Sequence, residues 1–143
     1  MSGDGKGLQL ARKSRTRSAT ATEARVYLKK AEQFCRTTRE ASEKKDWDAV
    51  ALNAIHCAIS ANDALLGFRH GIRSAGGSHD DAALLLDQLE EGEDSRQNVV
   101  RLRRIIRKKN LVEYEGRSLT GPEAAKIAAD AERFLQWAKS KME

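Results

Sequence analysis

Residues 49–66 read AVALNAIHCAISANDALL and form the most apolar segment of the chain. Ala, Val, Leu and Ile occupy almost every position, so a helix over this segment is apolar around most of its circumference. Such a helix has to be covered on nearly all sides by other elements. We therefore predict that it is the central helix of the protein, with Asp46 as its N-cap and Trp47 in its first turn.

Four polar residues interrupt this apolar segment and form a single line. Asn53, His56, Ser60 and Asp63 are separated by three, four and three positions, which places them on one side of a helix. Polar groups on a buried helix need hydrogen-bond partners or a position at a cleft or interface. The line therefore indicates satisfied core groups, an exposed seam, or one wall of a functional cleft. It does not indicate a Ser-His-Asp triad, because His56 and Asp63 lie roughly 10 Å apart along the helix axis.

The other helices are marked by start signals. Thr20 and Thr120 each precede a glutamate by three positions, which matches the capping box of a helix start. Ser78 begins a similar signal for a short third helix, and Asp94 or Ser95 opens a fourth. After each start, apolar residues recur with the period of a helix. We predict an all-α fold: an antiparallel four-helix up-and-down bundle with an additional short helix, and no strands.

The 143 residues suit one domain, and their net charge of +5 is concentrated at one end. Residues 1–19 carry a net +4 and almost no apolar side chains, so we predict a basic, disordered tail followed by the helical bundle over 20–143. The tail lacks the apolar region of a secretory signal. No window of the chain approaches the roughly 20 apolar residues that a spanning helix needs. We therefore expect a cytoplasmic protein with no membrane partner.

The cysteines and histidines do not form a metal-binding pattern. Cys35 and Cys57 lie inside apolar helical patterns and are interpreted as reduced core residues, with a disulfide between them as the alternative. His56, His70 and His79 are not at zinc-ligand spacing. We predict no metal site and no cofactor.

A dense basic segment lies in the fourth helix, where six of the nine residues 101–109 are Lys or Arg. Such a segment is typical of phosphate contacts, although a solvated helix face paired with nearby acids has the same composition. Lys109 follows Leu102 by seven positions and should project from the core-facing side, where Asp63 and Glu113 are candidate partners. The candidate nucleic-acid-binding residues are Arg101, Arg103, Arg104, Arg107 and Lys108.

Several segments of the chain share the pattern of one known family. They are residues 27–34 at the opening of the bundle, 47–50, 55–66, His79 before a Leu-rich helix, and 131–138. In these segments the chain resembles the HEPN superfamily, the small helical-bundle domains found beside or within prokaryotic nuclease and toxin–antitoxin systems. The resemblance covers roughly residues 22–140. It implies a homodimer, or a dimer with a related domain, with a cleft between the protomers.

The resemblance also implies a signature that this chain does not have. Active family members are metal-independent ribonucleases with an arginine followed four to six residues later by a histidine. The arginine binds the scissile phosphate, and the histidine transfers a proton or positions the attacking hydroxyl. The matching stretch here is residues 107–114, and no histidine lies in residues 80–143. If Lys109 takes the arginine position, Tyr114 takes the histidine position; if Arg107 does, Glu113 is the partner.

Neither tyrosine nor glutamate titrates near neutrality without a large shift, so standard ribonuclease chemistry is not expected. We predict a HEPN-like dimer that acts by binding nucleic acid, a nucleotide or a partner protein, in a toxin–antitoxin or defence setting. One alternative is a metal-independent ribonuclease with an altered site, either Lys109/Tyr114 or Arg107/Glu113. Another is a pure protein-interaction module in which the polar line only sets the dimer register. The predicted ligand-binding residues are Asn53, His56, Ser60, Asp63, Lys109, Asn110 and Tyr114.

Overall fold

Five α-helices and two short strands make up the fold in the computed structural model, which describes residues 15–76 and 80–143. The predicted signal at Ser78, the position of His79 and most of the predicted tail lie outside the described residues. The helices are α1 (Ala21–Glu43), α2 (Trp47–His70), α3 (Asp80–Leu89), α4 (Glu93–Tyr114) and α5 (Gly121–Lys141). The strands are β1 (Thr16–Ser18) and β2 (Ile72–Ser74).

The four long helices form an antiparallel bundle. Lys139 near the end of α5 pairs with Glu32 in the middle of α1 at 3.1 Å, and Arg39 near the end of α1 pairs with Glu132 in the middle of α5 at 2.6 Å. These two ion pairs align α1 and α5 in opposite directions. The predicted all-α bundle of four long helices with one short helix is therefore confirmed.

The central helix of the bundle is α2, as predicted. Its fully buried residues include Ile55, Leu65 and Leu66, which pack in one core with Phe134 of α5 and Leu102 of α4. Within the described residues, α2 is also the one helix that is long and apolar enough to span a membrane, so the expectation that no segment qualifies is wrong on length and composition. However, 61% of its most apolar window is buried inside the bundle, as expected of a core helix.

Both predicted capping boxes are present. The Thr20 hydroxyl accepts a hydrogen bond from the Glu23 amide at 3.1 Å, and the Thr20 amide donates to the Glu23 carboxylate at 3.0 Å. The same reciprocal pair joins Thr120 and Glu123 at the start of α5. These bonds satisfy amides that a helix start would otherwise leave unpaired.

The other two predicted starts differ in the structure. Asp46 occupies the N-cap position of α2, but its side chain makes no capping hydrogen bond. Asp48, two residues further on, instead accepts a hydrogen bond from the Leu119 amide at 2.9 Å and joins α2 to the loop before α5. Helix α4 begins at Glu93, earlier than predicted, because Gly92 adopts a φ of 106° that turns the chain into the helix.

The prediction that the fold contains no strands is wrong, because two short strands are present. Gly71 ends α2 with a φ of 68°, and the chain then reverses so that β2 pairs antiparallel with β1. The Ala19 amide bonds the Gly71 carbonyl at 2.8 Å, and the Ala75 amide bonds the Arg15 carbonyl at 2.9 Å. Ala19 is buried. Residues 15–19, which the sequence assigns to the tail, are therefore part of the domain.

One buried carboxylate joins three helix ends. Glu90, just after α3, has a side chain only 2% exposed, and it pairs with Arg69 at 2.8 Å, His70 at 2.5 Å and Lys141 at 3.7 Å. Burial raises the pKa of Glu90, but the hydrogen bonds from Arg69 and His70 outweigh it, so the pKa is lowered overall. The ionised carboxylate therefore stabilises the contact between the ends of α2, α3 and α5.

We expect Glu90→Gln to lower the free energy of unfolding by about 2 kcal/mol at pH 7, because it removes the charge-assisted hydrogen bonds that the buried carboxylate accepts from partly exposed cations. Since the folded-state pKa is lowered, this stabilisation exists above the ordinary pKa of 4.5 and is lost as the pH falls through the folded value. Urea unfolding between pH 3 and 7 measures both effects. Glu91→Gln is the matched control, because Glu91 is exposed. Equal stability of the two variants at pH 7 would contradict the assignment.

Candidate functional site

Three residues of the polar line, Asn53, His56 and Ser60, lie half-buried on the side of α2 between α1 and α4. The ring of Phe34, on α1, lies 5.4 Å from the ring of His56. On the side of α4, Lys109 and Glu113 are close enough for their charges to act on His56. Helices α1 and α4 hardly touch each other, so the line between them stays half-buried. We call the half-buried residues Asn53, His56 and Ser60, with the side chains that flank them, the central groove.

The residues of the line differ in how their polar groups are satisfied. The Asn53 amide donates to the Ala49 carbonyl one turn earlier, at 2.9 Å, so its own helix holds it. Burial, and after it the positive charge of Lys109, lowers the pKa of His56. A lowered pKa keeps the imidazole neutral at pH 7, and a neutral imidazole can accept a proton.

Asp63, the last residue of the line, lies at a different place. Its carboxyl lines a pocket with Arg17 of β1 and Arg73 of β2, and in the described part of the chain it makes no hydrogen bond or ion pair. Burial raises the pKa of Asp63 to about 6, against the opposing charges of Arg73 and Lys30. The line therefore contains two environments, a groove around His56 and a separate pocket around Asp63.

Lys109 takes the second of its two candidate partners. Its ammonium is held by the Glu113 carboxylate one turn along α4, with a second contact to that group at 3.2 Å. Asp63 is not its partner. Tyr114, the last residue of α4, is 77% exposed, and Asn110 is also exposed. The structure thus brings Lys109 and His56 to one groove but does not gather Asp63, Lys109, Asn110 and Tyr114 into one pocket.

The basic segment of α4 divides into paired and unpaired charges. Arg104 makes two hydrogen bonds to Asp130 of α5, at 2.9 and 3.0 Å. Arg101 donates to Asn98 at 2.6 Å and lies 3.9 Å from Asp130, and Arg103 reaches Asp87 only at 4.0 Å.

Arg107 and Lys108 differ from these, because neither forms an ion pair with any residue that the structure describes. Both are exposed, and they line a surface depression of about 480 Å³ together with Val100, Arg103 and Arg104. The unpaired part of the basic segment is therefore its second half, where α4 faces solvent.

Two groups of residues that matter here were not singled out from the sequence. Asp130 determines which arginines are neutralised, but an aspartate inside the α5 pattern gives no sign of its partner 26 positions away. Arg17 and Arg73 become neighbours only through the strand pairing. In both cases the contact is non-local, so no spacing rule along the chain would have found it.

The thiols and carboxylates do not assemble a metal centre in the described ranges, where no group of three or more metal-ligating side chains is suitably placed. Cys35 and Cys57 are free and buried. They line a groove of about 350 Å³ between α1, α2 and α5. Burial, and after it the neighbouring Cys35, raises the pKa of the Cys57 thiol, which makes it a weak nucleophile.

We expect Asp63→Asn to change how stability depends on pH. Because the folded-state pKa is about 6 and the ordinary value 3.8, the folded protein binds the proton more tightly, and wild-type stability falls as the pH rises between those values. The variant should lack this decrease and be more stable at pH 7 by about 2 kcal/mol. Urea unfolding from pH 4 to 7.5 measures the effect, with exposed Glu40→Gln as the control. A less stable variant at pH 7 would show that ionised Asp63 is stabilising.

Comparison with known proteins supports the fold and the resemblance. The family model described as HEPN domain matches residues 24–141. The crystal structure of an archaeal HEPN homologue is similar to the chain with a TM-score of 0.66 at 20% identity, covering 84% of this chain and 98% of that one. No curated protein matches the chain. Since the family model spans most of the sequence, the chain belongs to the HEPN domain family.

Proposed function

We propose that this HEPN protein binds nucleic acid through the outward side of α4 and lacks the standard ribonuclease chemistry of its family. The observation that carries the proposal is the pair Arg107 and Lys108, whose charges have no carboxylate partner among the described residues. A cation without a partner on an exposed helix face is available to a phosphate.

The surrounding surface has the shape and charge of a phosphate-binding strip. Val100, Arg103, Arg107 and Lys108 follow one side of α4 over roughly 12 Å of the helix axis. We call these residues the α4 basic face. Val100 is 55% exposed, which offers an apolar contact to a sugar or base between the cations. Asp130 neutralises Arg104 from the side of α5, so the positive potential is directed away from the bundle.

The proposal of binding without standard catalysis follows from what lies at the family motif. Lys109 is neutralised by Glu113, and Tyr114 is largely exposed at the end of α4. In residues 107–114 no side chain combines a free positive charge with a neighbouring histidine.

We also propose that a second copy covers the central groove, because α1 and α4 leave its polar floor half-buried.

The Arg107→Gln/Lys108→Gln double variant tests the nucleic-acid proposal. We expect the slope of log affinity against log salt for a single-stranded RNA to fall by about 1.4, since each lost phosphate contact on a single strand removes about 0.7. Fluorescence anisotropy with a labelled oligoribonucleotide, repeated from 50 to 300 mM salt, measures the slope.

The matched control is Lys29→Gln/Arg36→Gln, which removes the same charges from the exposed side of α1. Its slope should equal that of the wild type. A slope that falls equally in both variants would show that only overall charge matters, and an unchanged slope in the α4 variant would refute the proposal.

A second candidate function is an altered metal-independent ribonuclease. The observation in its favour is His56, which supplies a neutral imidazole next to Lys109 and Glu113 although residues 80–143 contain no histidine. In this arrangement His56 would act as the general base, and Lys109 would approach the phosphate after leaving Glu113.

We expect no RNA cleavage above background in the wild type if the protein only binds. Cleavage of a fluorescent oligoribonucleotide is compared in the wild type, His56→Ala, Lys109→Ala and Tyr114→Phe. Loss of a general base reduces a rate by about 100-fold or more. A loss of that size in His56→Ala would overturn the binding-only proposal, whereas cleavage that survives in every variant identifies a contaminating nuclease.

A further inference from the structure

Two arginines face each other across the two-stranded sheet. Arg17 of β1 and Arg73 of β2 are direct partners in the antiparallel register, so their side chains leave the sheet on the same side. Like charges in directly opposed positions destabilise a strand pair. Neither guanidinium forms an ion pair within residues 15–76 and 80–143, so the repulsion is offset only by the longer-range charges of Asp63 and Glu23 on Arg73.

Both arginines line one pocket. It has a volume of about 320 Å³, and its lining includes Arg17, Arg73, Ser74 and Asp63. Arg73 is held in place by its position over the Tyr27 ring, 5.7 Å from the ring centre, and by a hydrogen bond to the Ser74 carbonyl at 3.1 Å. One of the two cations is therefore pre-positioned.

We propose that this pocket binds a phosphate monoester of a small molecule, with Arg17 and Arg73 holding its oxygens and the Asp63 carboxyl facing the same ligand. The site is distinct from the α4 basic face, and the proposal does not depend on nucleic-acid binding there.

The chemistry of the pocket favours this ligand class. A guanidinium pairs with phosphate through two parallel hydrogen bonds, and two guanidiniums match the near-double charge of a monoester better than the single charge of a diester. The volume is at the small end of ligand pockets, which suits a compact phosphorylated molecule more than a folded segment of protein. A bound dianion would also relieve the repulsion between the arginines.

The charges around Asp63 determine how binding depends on pH. Three positive charges lie near Asp63: Arg17 of β1, Arg73 of β2 and Lys30 of α1. Lys30 also lies beside the Tyr27 ring. One further carboxylate, Asp81 of α3, approaches Gly76 at the pocket edge. A bound anion disfavours ionisation of a neighbouring carboxyl, so binding takes up a proton at Asp63. Affinity for a fully ionised anion should therefore rise as the pH falls towards 6.

Calorimetric titration of the full chain with inorganic phosphate, adenosine 5′-monophosphate and adenosine tests whether the pocket binds a phosphate monoester. We expect the two phosphates to bind and adenosine not to bind. The Arg17→Gln/Arg73→Gln double variant should lose about tenfold or more in affinity, and the Lys29→Gln/Arg36→Gln control should lose none. No binding of either phosphate at millimolar concentration, or equal binding of adenosine, would overturn the proposal. Tighter binding of a phosphoserine peptide than of the nucleotide would also overturn it.

Inorganic sulfate tests the pH dependence, because it keeps its charge across the range. Wild-type affinity should rise from pH 7.5 to 5.5, and Asp63→Asn should bind equally at both values and more tightly than the wild type at pH 7.5. Equal pH dependence in the two proteins would show that Asp63 does not face the bound anion. The melting temperature of each variant verifies that it is folded, and Arg17→Lys/Arg73→Lys keeps the charge while removing the paired hydrogen bonds.

A last measurement separates the pocket from the proposed function. The salt slope of RNA binding in Arg17→Gln/Arg73→Gln should equal that of the wild type. A slope that falls by about 1.4 would show that the two arginines contact the RNA, and it would overturn the assignment of a separate site. Failure of RNA binding in the wild type, with phosphate binding intact, refutes the proposed function alone.

Discussion

The burial of α2 is the constraint on which the rest of the structure depends. A helix that is apolar on nearly every side cannot remain in water, so α1, α3, α4 and α5 have to be placed around it. Four neighbours do not close completely around one helix, and the side that they leave half-covered is the side with polar residues. The central groove and the pocket at Asp63 therefore result from the same packing that produces the core.

The distribution of acids decides which basic residues remain available. Asp130 and Glu113 neutralise Arg104 and Lys109 on α4, and Glu90 pairs with cations at the ends of two helices, α2 and α5. The pairing of Glu90 is structural, because its side chain is almost completely buried. Among the described residues, the cations left without an ion pair include Arg107 and Lys108 in the second half of α4 and the two arginines of the two-stranded sheet. The net charge of the chain does not distinguish these places, but the ion pairs do.

The sequence predicted those features that are local or periodic. The helix starts at Thr20 and Thr120 could be predicted because a capping box is complete within four residues. Helix α2 could be predicted from its apolar composition. The strands were missed because three residues are too few to show alternation, and because their pairing joins positions far apart in the chain. For the same reason Glu113, on the same helix as Lys109, was one of the two partners predicted for that lysine, whereas the partner of Arg104 on α5 was not predicted.

The strand pair also has a consequence for the order of folding. Thr16 pairs with Ser74, and the whole of α1 and α2 lies between them in the chain. The sheet can therefore form only when the end of α2 has been brought back to β1. The entropy lost in bringing such distant segments together is recovered only after α1 and α2 have packed. We expect β1 to join last and to open first, ahead of global unfolding. A ligand held between the two strands would then bind only the closed form and slow the opening of this edge of the domain.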